Sequence, residues 1–160
     1  MERRAYGLVI LALVGFGISV LLAAYQLGLV ASVWDPIFGD GSRRVLTSAI
    51  SRDLPIPDAV VGAAAYAVDA VLGVALVVRI GPAAIVAGTL AVIAVMGAAV
   101  GLALAVAQPL IAHAGCTLCL CSTVVSVVLA AGAVAEGRDR WSSGRPKSLE
   151  GRRVPKEETR

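Results

Sequence analysis

Charged residues are scarce in this chain of 160 residues: Asp, Glu, Lys and Arg together make up 16% of it, whereas hydrophobic residues make up 58%. An average soluble domain carries about 25% charged residues. The apolar residues also stand in long runs rather than in the stripes of an amphipathic soluble helix. This composition excludes an ordinary soluble domain and favours a membrane protein.

Cysteines are equally few, and all three lie in the segment Cys116-Thr117-Leu118-Cys119-Leu120-Cys121. The first two have the spacing C-x-x-C, which allows a disulfide between them and marks a candidate redox centre. The amides at a helix N-terminus would stabilise a thiolate there. The pattern C-x-x-C-H, which attaches haem, is missing.

Basic residues are concentrated near the C-terminus, where eight of the fourteen Lys and Arg residues follow Glu136. Acidic residues are mixed with them and interleaved aromatic residues are lacking, so the segment is not typical of a nucleic-acid interface. We therefore predict a bundle domain over residues 1–136, a charged and disordered cytoplasmic tail over residues 137–160, and no nucleic-acid partner.

Four apolar runs are long enough to cross a bilayer, which requires about 20 residues. They cover Ala5–Val33, Ala59–Val78, Ala83–Val106 and Cys116–Ala135. The length of the first run predicts a tilted or protruding helix; a cleaved signal peptide, the alternative, has an apolar core of only about 7–15 residues. The predicted fold is an all-α membrane protein: a four-transmembrane-helix bundle with one longer external loop, which contains a short surface helix at Arg43–Ser51.

The distribution of basic residues predicts the orientation. One side of the membrane would carry Arg3, Arg4, Arg79 and the eight basic residues of the tail, and the other only Arg43, Arg44 and Arg52. Both termini are therefore predicted to be cytoplasmic. The C-x-x-C pair then lies at the external end of the bundle, where disulfides are permitted.

Helical periodicity predicts which side chains share a face. Cys116, Cys119, Thr123 and Ser126 fall on one side of the fourth helix, and Cys121 falls on the other. A second face is formed by Asp58, Gly62, Tyr66, Asp69 and Gly73. Of these, Gly62 favours close helix packing. Asp69 is either a functional group inside the membrane or a structural residue near the cytoplasmic end.

Four sequence features in this order resemble the vitamin K epoxide reductase family, a membrane-embedded family with a quinone pocket at the external end of a four-helix bundle. They are the segment Ser42-Arg43-Arg44-Val45-Leu46-Thr47-Ser48, then Pro57, then G-x-x-x-Y at Gly62 and Tyr66, and finally C-x-x-C at Cys116 and Cys119. The resemblance runs from about Trp34 to the end of the fourth helix.

The resemblance implies roles for individual residues. Cys119 would be the thiolate that faces the quinone, and Cys116 would be its disulfide partner and would receive electrons. Asp58 stands where many members have an asparagine that binds a quinone oxygen, so its carboxyl group would have to be protonated to donate that bond. The remaining residues implied at the quinone site are Gly62, Tyr66, Ser48 (a loop hydroxyl) and Thr123, which replaces a tyrosine of vertebrate members.

One departure concerns the external loop, where Trp34 and Ser42 stand at the usual positions of two further cysteines. No shuttle disulfide can form there. Either an external thiol, such as a thioredoxin-like protein, reaches Cys116 directly, or the relay is lost.

The sequence therefore predicts a quinone-linked thiol–disulfide oxidoreductase of a bacterial inner or plasma membrane, in contact with lipid and with menaquinone, ubiquinone or a vitamin K-type quinone. The alternative is a non-catalytic member that serves membrane assembly or partner binding. A metal site at His113, Cys116, Cys119 and Cys121 is not expected, because a regular helix points Cys121 away from the others.

Overall fold

The computed structural model describes residues 2–39, 41–46 and 57–143. Its helices are α1 (Glu2–Gln26), α2 (Gly41–Leu46), α3 (Asp58–Val77), α4 (Ala83–Ala107), which continues as a π-helical turn (Gln108–Ala112), and α5 (Thr117–Ser143). Four of them are long and apolar enough to span a membrane, and these described ranges contain no strand. The chain is an all-α integral membrane protein with a four-helix bundle, which confirms the predicted fold.

The four long helices pack in a ring: α1 on α3, α3 on α4, α4 on α5, and α5 back on α1. The inside of this ring is rich in alanine, which allows helices to approach closely where lipid provides little hydrophobic force between them. Gly15 of α1 is the tightest such contact, because a Cβ atom there would overlap the ring of Tyr66 on α3. The buried alanines of the main core cluster are Ala5, Ala12, Ala70, Ala87, Ala94, Ala98, Ala130 and Ala133.

The first helix ends earlier than predicted. The apolar run continues to Val33, but α1 stops at Gln26 because Gly28 adopts a left-handed conformation (φ 73°). The amide of Leu29 donates to the carbonyl of Ala24 (2.8 Å), and that of Gly28 to the carbonyl of Tyr25 (3.0 Å). This is the Schellman arrangement that terminates helices. The prediction of one helix through Val33 is therefore wrong at its C-terminal end.

The turn before the cysteines also differs from the prediction. The sequence marks it by Gln108, Pro109 and His113, whereas the chain stays helical from Gln108 through Ala112 and turns only at the last of these, His113, which is left-handed (φ 47°). Pro109 lacks an amide hydrogen and cannot continue regular α-helical bonding, and the π-helical turn accommodates it. As a result Gln108 is buried rather than exposed in a turn.

At the surface helix, α2 begins at Gly41, two residues before the predicted start, and is described as far as Leu46. Residues 47–56 lie outside the described residues. At the other end of the bundle, α5 continues to Ser143, so 137–143, assigned to the tail by the sequence, are helical. Residues 144–160 of the predicted tail are likewise not described.

Buried charge joins α1 to α5 at the end of the bundle that carries Arg4 and the α3–α4 turn, which we call the opposite end. Glu136 is fully buried; its Oε1 accepts from Nε of Arg140 at 2.7 Å, and its Oε2 lies 3.9 Å from Nη1 of Arg4. Arg4 also pairs with Asp139 at 2.5 Å. These pairs explain why the helix persists beyond the apolar run.

We expect Glu136→Ala to lower the free energy of unfolding by about 3 kcal/mol, because it leaves the largely buried Arg140 without its carboxylate. Asp139→Ala, the matched control, removes an exposed partner of Arg4 and should cost less than about 1 kcal/mol. Denaturant titration in detergent, followed by circular dichroism, measures both. Equal losses would contradict this account of the cluster.

Candidate functional site

The C-x-x-C pair forms a disulfide at the N-terminus of α5, with the Cα atoms 5.2 Å apart. Cys116 is the N-cap of the helix: its carbonyl accepts from the amide of Leu120 (3.0 Å), and its Sγ accepts from the amide of Cys119 (3.2 Å). The sulfur thus takes the position of a capping oxygen. The partial positive charge of a helix N-terminus at this position stabilises a thiolate.

The cysteines differ in their access to the surroundings. Cys116 is fully buried (0% exposed), Cys119 is half-buried, and Cys121 is exposed and free. Cys121 therefore lies away from the pair, as helical periodicity predicts. An incoming reagent can approach Cys119 in this conformation but not the sulfur of Cys116.

The described part of the loop between α1 and α3 packs on Gly115, the residue before Cys116. Phe38 lies against Gly115, where an added Cβ would be 2.8 Å from its ring, and Gly41 packs on the carbonyl of Gly115 so closely that a side chain would overlap it. The side chain of Gln108 completes the enclosure by accepting from the amide of Cys116 at 3.0 Å. Cys116 itself lies in one buried cluster with Leu46 of this loop and with Leu22 and Ala59 of α1 and α3, so exposing it requires the loop to move off that cluster.

The two loop positions at which the resemblance expects cysteines have different surroundings. Trp34 is 80% exposed, whereas Ser42 is 1% exposed and lies in the covering loop. Ser42 therefore belongs to the enclosed part of the site, and Trp34 belongs to the surface.

Asp35 connects this loop to α5, and sequence reasoning missed it. Its Oδ2 accepts from Oγ of Ser42 (2.5 Å) and from the amide of Thr117 (3.3 Å). Its Oδ1 accepts from the hydroxyl of Thr117 and from the amides of Phe38 (2.9 Å) and Ile37 (3.2 Å). The available signal was the dipeptide Asp-Pro, which often initiates a turn.

Burial by itself would raise the pKa of Asp35, but hydrogen bonds from the hydroxyls of Ser42 and Thr117 and from the amides of Phe38 and Thr117 outweigh it and hold this pKa well below its usual range. Asp35 is therefore a carboxylate at neutral pH. Its negative charge is bound to Thr117, the first residue of α5, and opposes the stabilisation that the helix N-terminus gives to a thiolate of Cys116.

Two of the residues implied at the quinone site lie along α5 on the C-terminal side of Cys119. They are Thr123, which belongs to α5, and Tyr66, which reaches α5 from α3. The hydroxyl of Thr123 donates to the carbonyl of Cys119 (2.9 Å). The hydroxyl of Tyr66 lies 2.6 Å from Oγ of Ser126 and bonds to the carbonyl of Ser122 (2.8 Å). The structure thus brings Thr123 and Tyr66 within one to two helical turns of Cys119 along α5.

Asp58 and Gly62 lie instead between α1 and α3. Oδ1 of Asp58 accepts from the side chain of Gln26 (2.5 Å), whose own oxygen accepts from the amide of Ala59 (3.3 Å). A Cβ on Gly62 would face Ser19 of α1 at 3.5 Å, an ordinary contact. These contacts describe helix packing, and none of them involves α5.

Three other candidate residues, Ser48, Asp69 and His113, were singled out from the sequence. Ser48 lies outside the described residues. Asp69 is buried on α3, and its Oδ1 has no hydrogen-bond partner among the residues that the structure covers. His113 is exposed, and within the described ranges no group of three or more His, Cys, Asp or Glu residues is arranged to hold a metal ion.

Comparison with known proteins identifies the family. The family model described as vitamin K epoxide reductase family matches residues 7–134, a range that includes the disulfide, all of α3 and α4, and most of α1 and α5. No curated protein and no solved structure matches the chain. The family match covers most of the sequence, and the chain belongs to the vitamin K epoxide reductase family.

Proposed function

We propose that the protein is a membrane thiol–disulfide oxidoreductase that passes electrons from a thiol donor to a membrane quinone through Cys116 and Cys119. The observation that carries this proposal is the disulfide at the N-terminus of α5, with a buried and a half-buried sulfur at one end of a membrane-spanning bundle. Membership in a family of quinone-linked membrane oxidoreductases supports the same reaction class.

The proposed reaction balances as two exchanges. A dithiol donor attacks the protein disulfide, becomes a disulfide itself, and leaves Cys116 and Cys119 as thiols. The pair then re-forms its bond, giving up two electrons and two protons. The quinone, as the second substrate, supplies the two-electron acceptor and becomes a quinol. Cys119 is the residue proposed to face it, because it is the less buried residue of the two.

Several residues near Cys119 fit a quinone. Thr123 and Tyr66 offer hydroxyl groups along α5, and the surrounding helices are apolar, as expected for a site that takes a lipid-soluble ring. Both hydroxyl groups already bond to carbonyls of α5, and Oδ1 of Asp58 already accepts from Gln26, so each of the three would exchange a bond within the protein for one to the quinone. We therefore propose Thr123, Tyr66, Asp58, Gly62 and Ser48 together as the residues that the family resemblance implies at the quinone.

The thiol donor is proposed to be an external thioredoxin-like protein or a small thiol, with both termini of the chain in the cytoplasm and the bundle in a bacterial plasma membrane. Because Cys116 is fully buried in a cluster that includes Leu46 of the loop, a donor that attacks this sulfur must first displace the loop. A donor that attacks Cys119, which is half-buried, does not have to displace the loop. The relative reactivity of the two cysteines therefore indicates the route by which electrons arrive.

The burial of Cys116 and the loss of loop cysteines favour a second candidate, a non-catalytic member that uses its bundle for assembly or partner binding. A turnover assay distinguishes the two. In anaerobic vesicles that contain the protein, dithiothreitol and a short-chain ubiquinone, the proposal predicts quinol formation well above that in protein-free vesicles. Equal rates, with the pair shown to be reduced, would favour the non-catalytic candidate.

A further inference from the structure

A groove of about 860 Å³ lies at the opposite end of the bundle, away from the cysteines, between the first turns of α4 and the last turns of α5. Its floor on α4 includes Ile85, Gly88 and Val92, and its rim on α5 includes Arg138 and Trp141. A Cβ added to Gly88 would meet nothing within 4 Å, so the space above this glycine is open. The groove therefore has an apolar floor and a basic, aromatic rim.

The rim residues of α5 lie at the depth expected for the boundary between the hydrocarbon core and the lipid headgroups. About 20 residues of helix cross the hydrocarbon, so a span that begins at Thr117 ends near Glu136. Arg138 and Trp141 follow within two turns and reach the level of the lipid headgroups, where tryptophan is enriched. Gly137 packs on Ala87, so Ile85 and Gly88 of the floor lie level with this rim, and Val92 lies about one turn deeper, beside the acyl chains.

Arg138 differs from Arg4 and Arg140 in that no carboxylate pairs with it among the residues the structure covers. Arg4 pairs with Asp139, and Arg140 pairs with Glu136. Arg138 is exposed, lines the groove, and has no ion-pair or hydrogen-bond partner among the residues the structure covers. Its positive charge is available to a ligand that occupies the groove.

We propose that this groove binds an anionic phospholipid. The lipid phosphate would pair with Arg138, the glycerol region would contact the indole of Trp141, and an acyl chain would lie over Gly88. This combination of one uncompensated cation with an apolar channel at the interface matches an anionic lipid better than a zwitterionic one. The inference does not depend on the redox chemistry proposed for the cysteines.

The test uses the fluorescence of Trp141. The chain has two tryptophans, and Trp34→Phe leaves Trp141 as the only one. In reconstituted vesicles, brominated lipids quench a tryptophan that they contact. We expect brominated phosphatidylglycerol to associate about fivefold more strongly than brominated phosphatidylcholine, the preference that one interfacial arginine provides. Equal association of the two lipids would overturn the proposal.

Further variants test whether the preference for the anionic lipid arises at the groove. Arg138→Gln should reduce the preference to near one, whereas Arg3→Gln, which removes a charge from the same end but not from the groove, should preserve it. Gly88→Leu should weaken quenching by both lipids, because leucine fills the open floor. If Arg138→Gln and Arg3→Gln reduced the preference equally, a general surface potential would explain it and the groove would not be the site.

Discussion

Cys119→Ser is expected to reduce quinone-dependent thiol oxidation to background, a loss of roughly a thousandfold or more, because serine cannot form the disulfide that releases two electrons. Cys116→Ser should have the same effect on turnover. Cys121→Ser is the matched control: it changes the same residue type on the same helix, but at an exposed position outside the disulfide. The anaerobic vesicle assay measures all three variants.

The two active-site variants should differ when thiol labelling replaces turnover as the measurement. In Cys116→Ser the remaining Cys119 is half-buried and should react readily with a maleimide, whereas in Cys119→Ser the remaining Cys116 is enclosed and should react slowly. A Cys121→Ser background removes the third thiol. Near-normal turnover by either serine variant would contradict the proposed role of the pair.

Asp35→Ala is expected to accelerate alkylation of Cys116 by roughly 150-fold in a chain in which Cys116 is the only cysteine. Asp35 accepts bonds from the covering loop and from the first residue of α5, and its removal leaves buried donors unpaired at a cost of about 3 kcal/mol. Because Cys116 becomes accessible only when the loop opens, this free energy converts directly into the labelling rate.

Asp35→Asn distinguishes two effects on the labelling of Cys116, the opening of the loop and the loss of the negative charge of Asp35. Asparagine also removes the negative charge, but it retains an oxygen that can accept from the amides of Ile37 and Phe38. We expect an acceleration of about tenfold, between those of the parent and Asp35→Ala. If asparagine and alanine accelerated labelling equally, the carboxylate would be acting on the ionisation of the Cys116 thiol rather than holding the loop.

The contribution of Asp35 should also depend on pH. Its pKa in the folded protein lies below the ordinary value of 3.8, so its stabilising effect is complete well above pH 3.8 and is lost as the pH falls below that value. The difference in unfolding free energy between the parent and Asp35→Ala should therefore be constant from about pH 8 to pH 5 and shrink in stronger acid. A difference that shrank between pH 8 and pH 6 would identify another titrating group.

The membrane helices could be predicted from sequence because they depend on the length of the apolar runs and on the proline and glycine residues that separate those runs. The opening of α3 after Pro57 and the turn before Ala83 follow from prolines and a glycine that act locally. The end of α1 was missed for the opposite reason: Leu27 to Val33 are apolar except for Ser32, and a single glycine, Gly28, ends the helix before them. Hydropathy alone does not contain that information.

The site was only partly predictable because it combines distant segments. Helical periodicity along α5 was sufficient to separate Cys121 from Cys119 and to place Thr123 on the face that continues from Cys119. Neither Asp35 nor Gln108 could be assigned in this way, since each bonds to the start of α5 from another part of the chain. Asp35 and Thr117 are 82 positions apart, and only the fold brings them together.

The redox state of the Cys116–Cys119 pair tests the central claim most directly. The reconstituted protein is reduced with dithiothreitol, freed of the reductant under anaerobic conditions, and then mixed with a short-chain ubiquinone. Differential alkylation and mass spectrometry report each cysteine. The account predicts that the disulfide re-forms with release of one quinol per pair, while Cys121 stays reduced. A pair that remained reduced in the presence of quinone would contradict it.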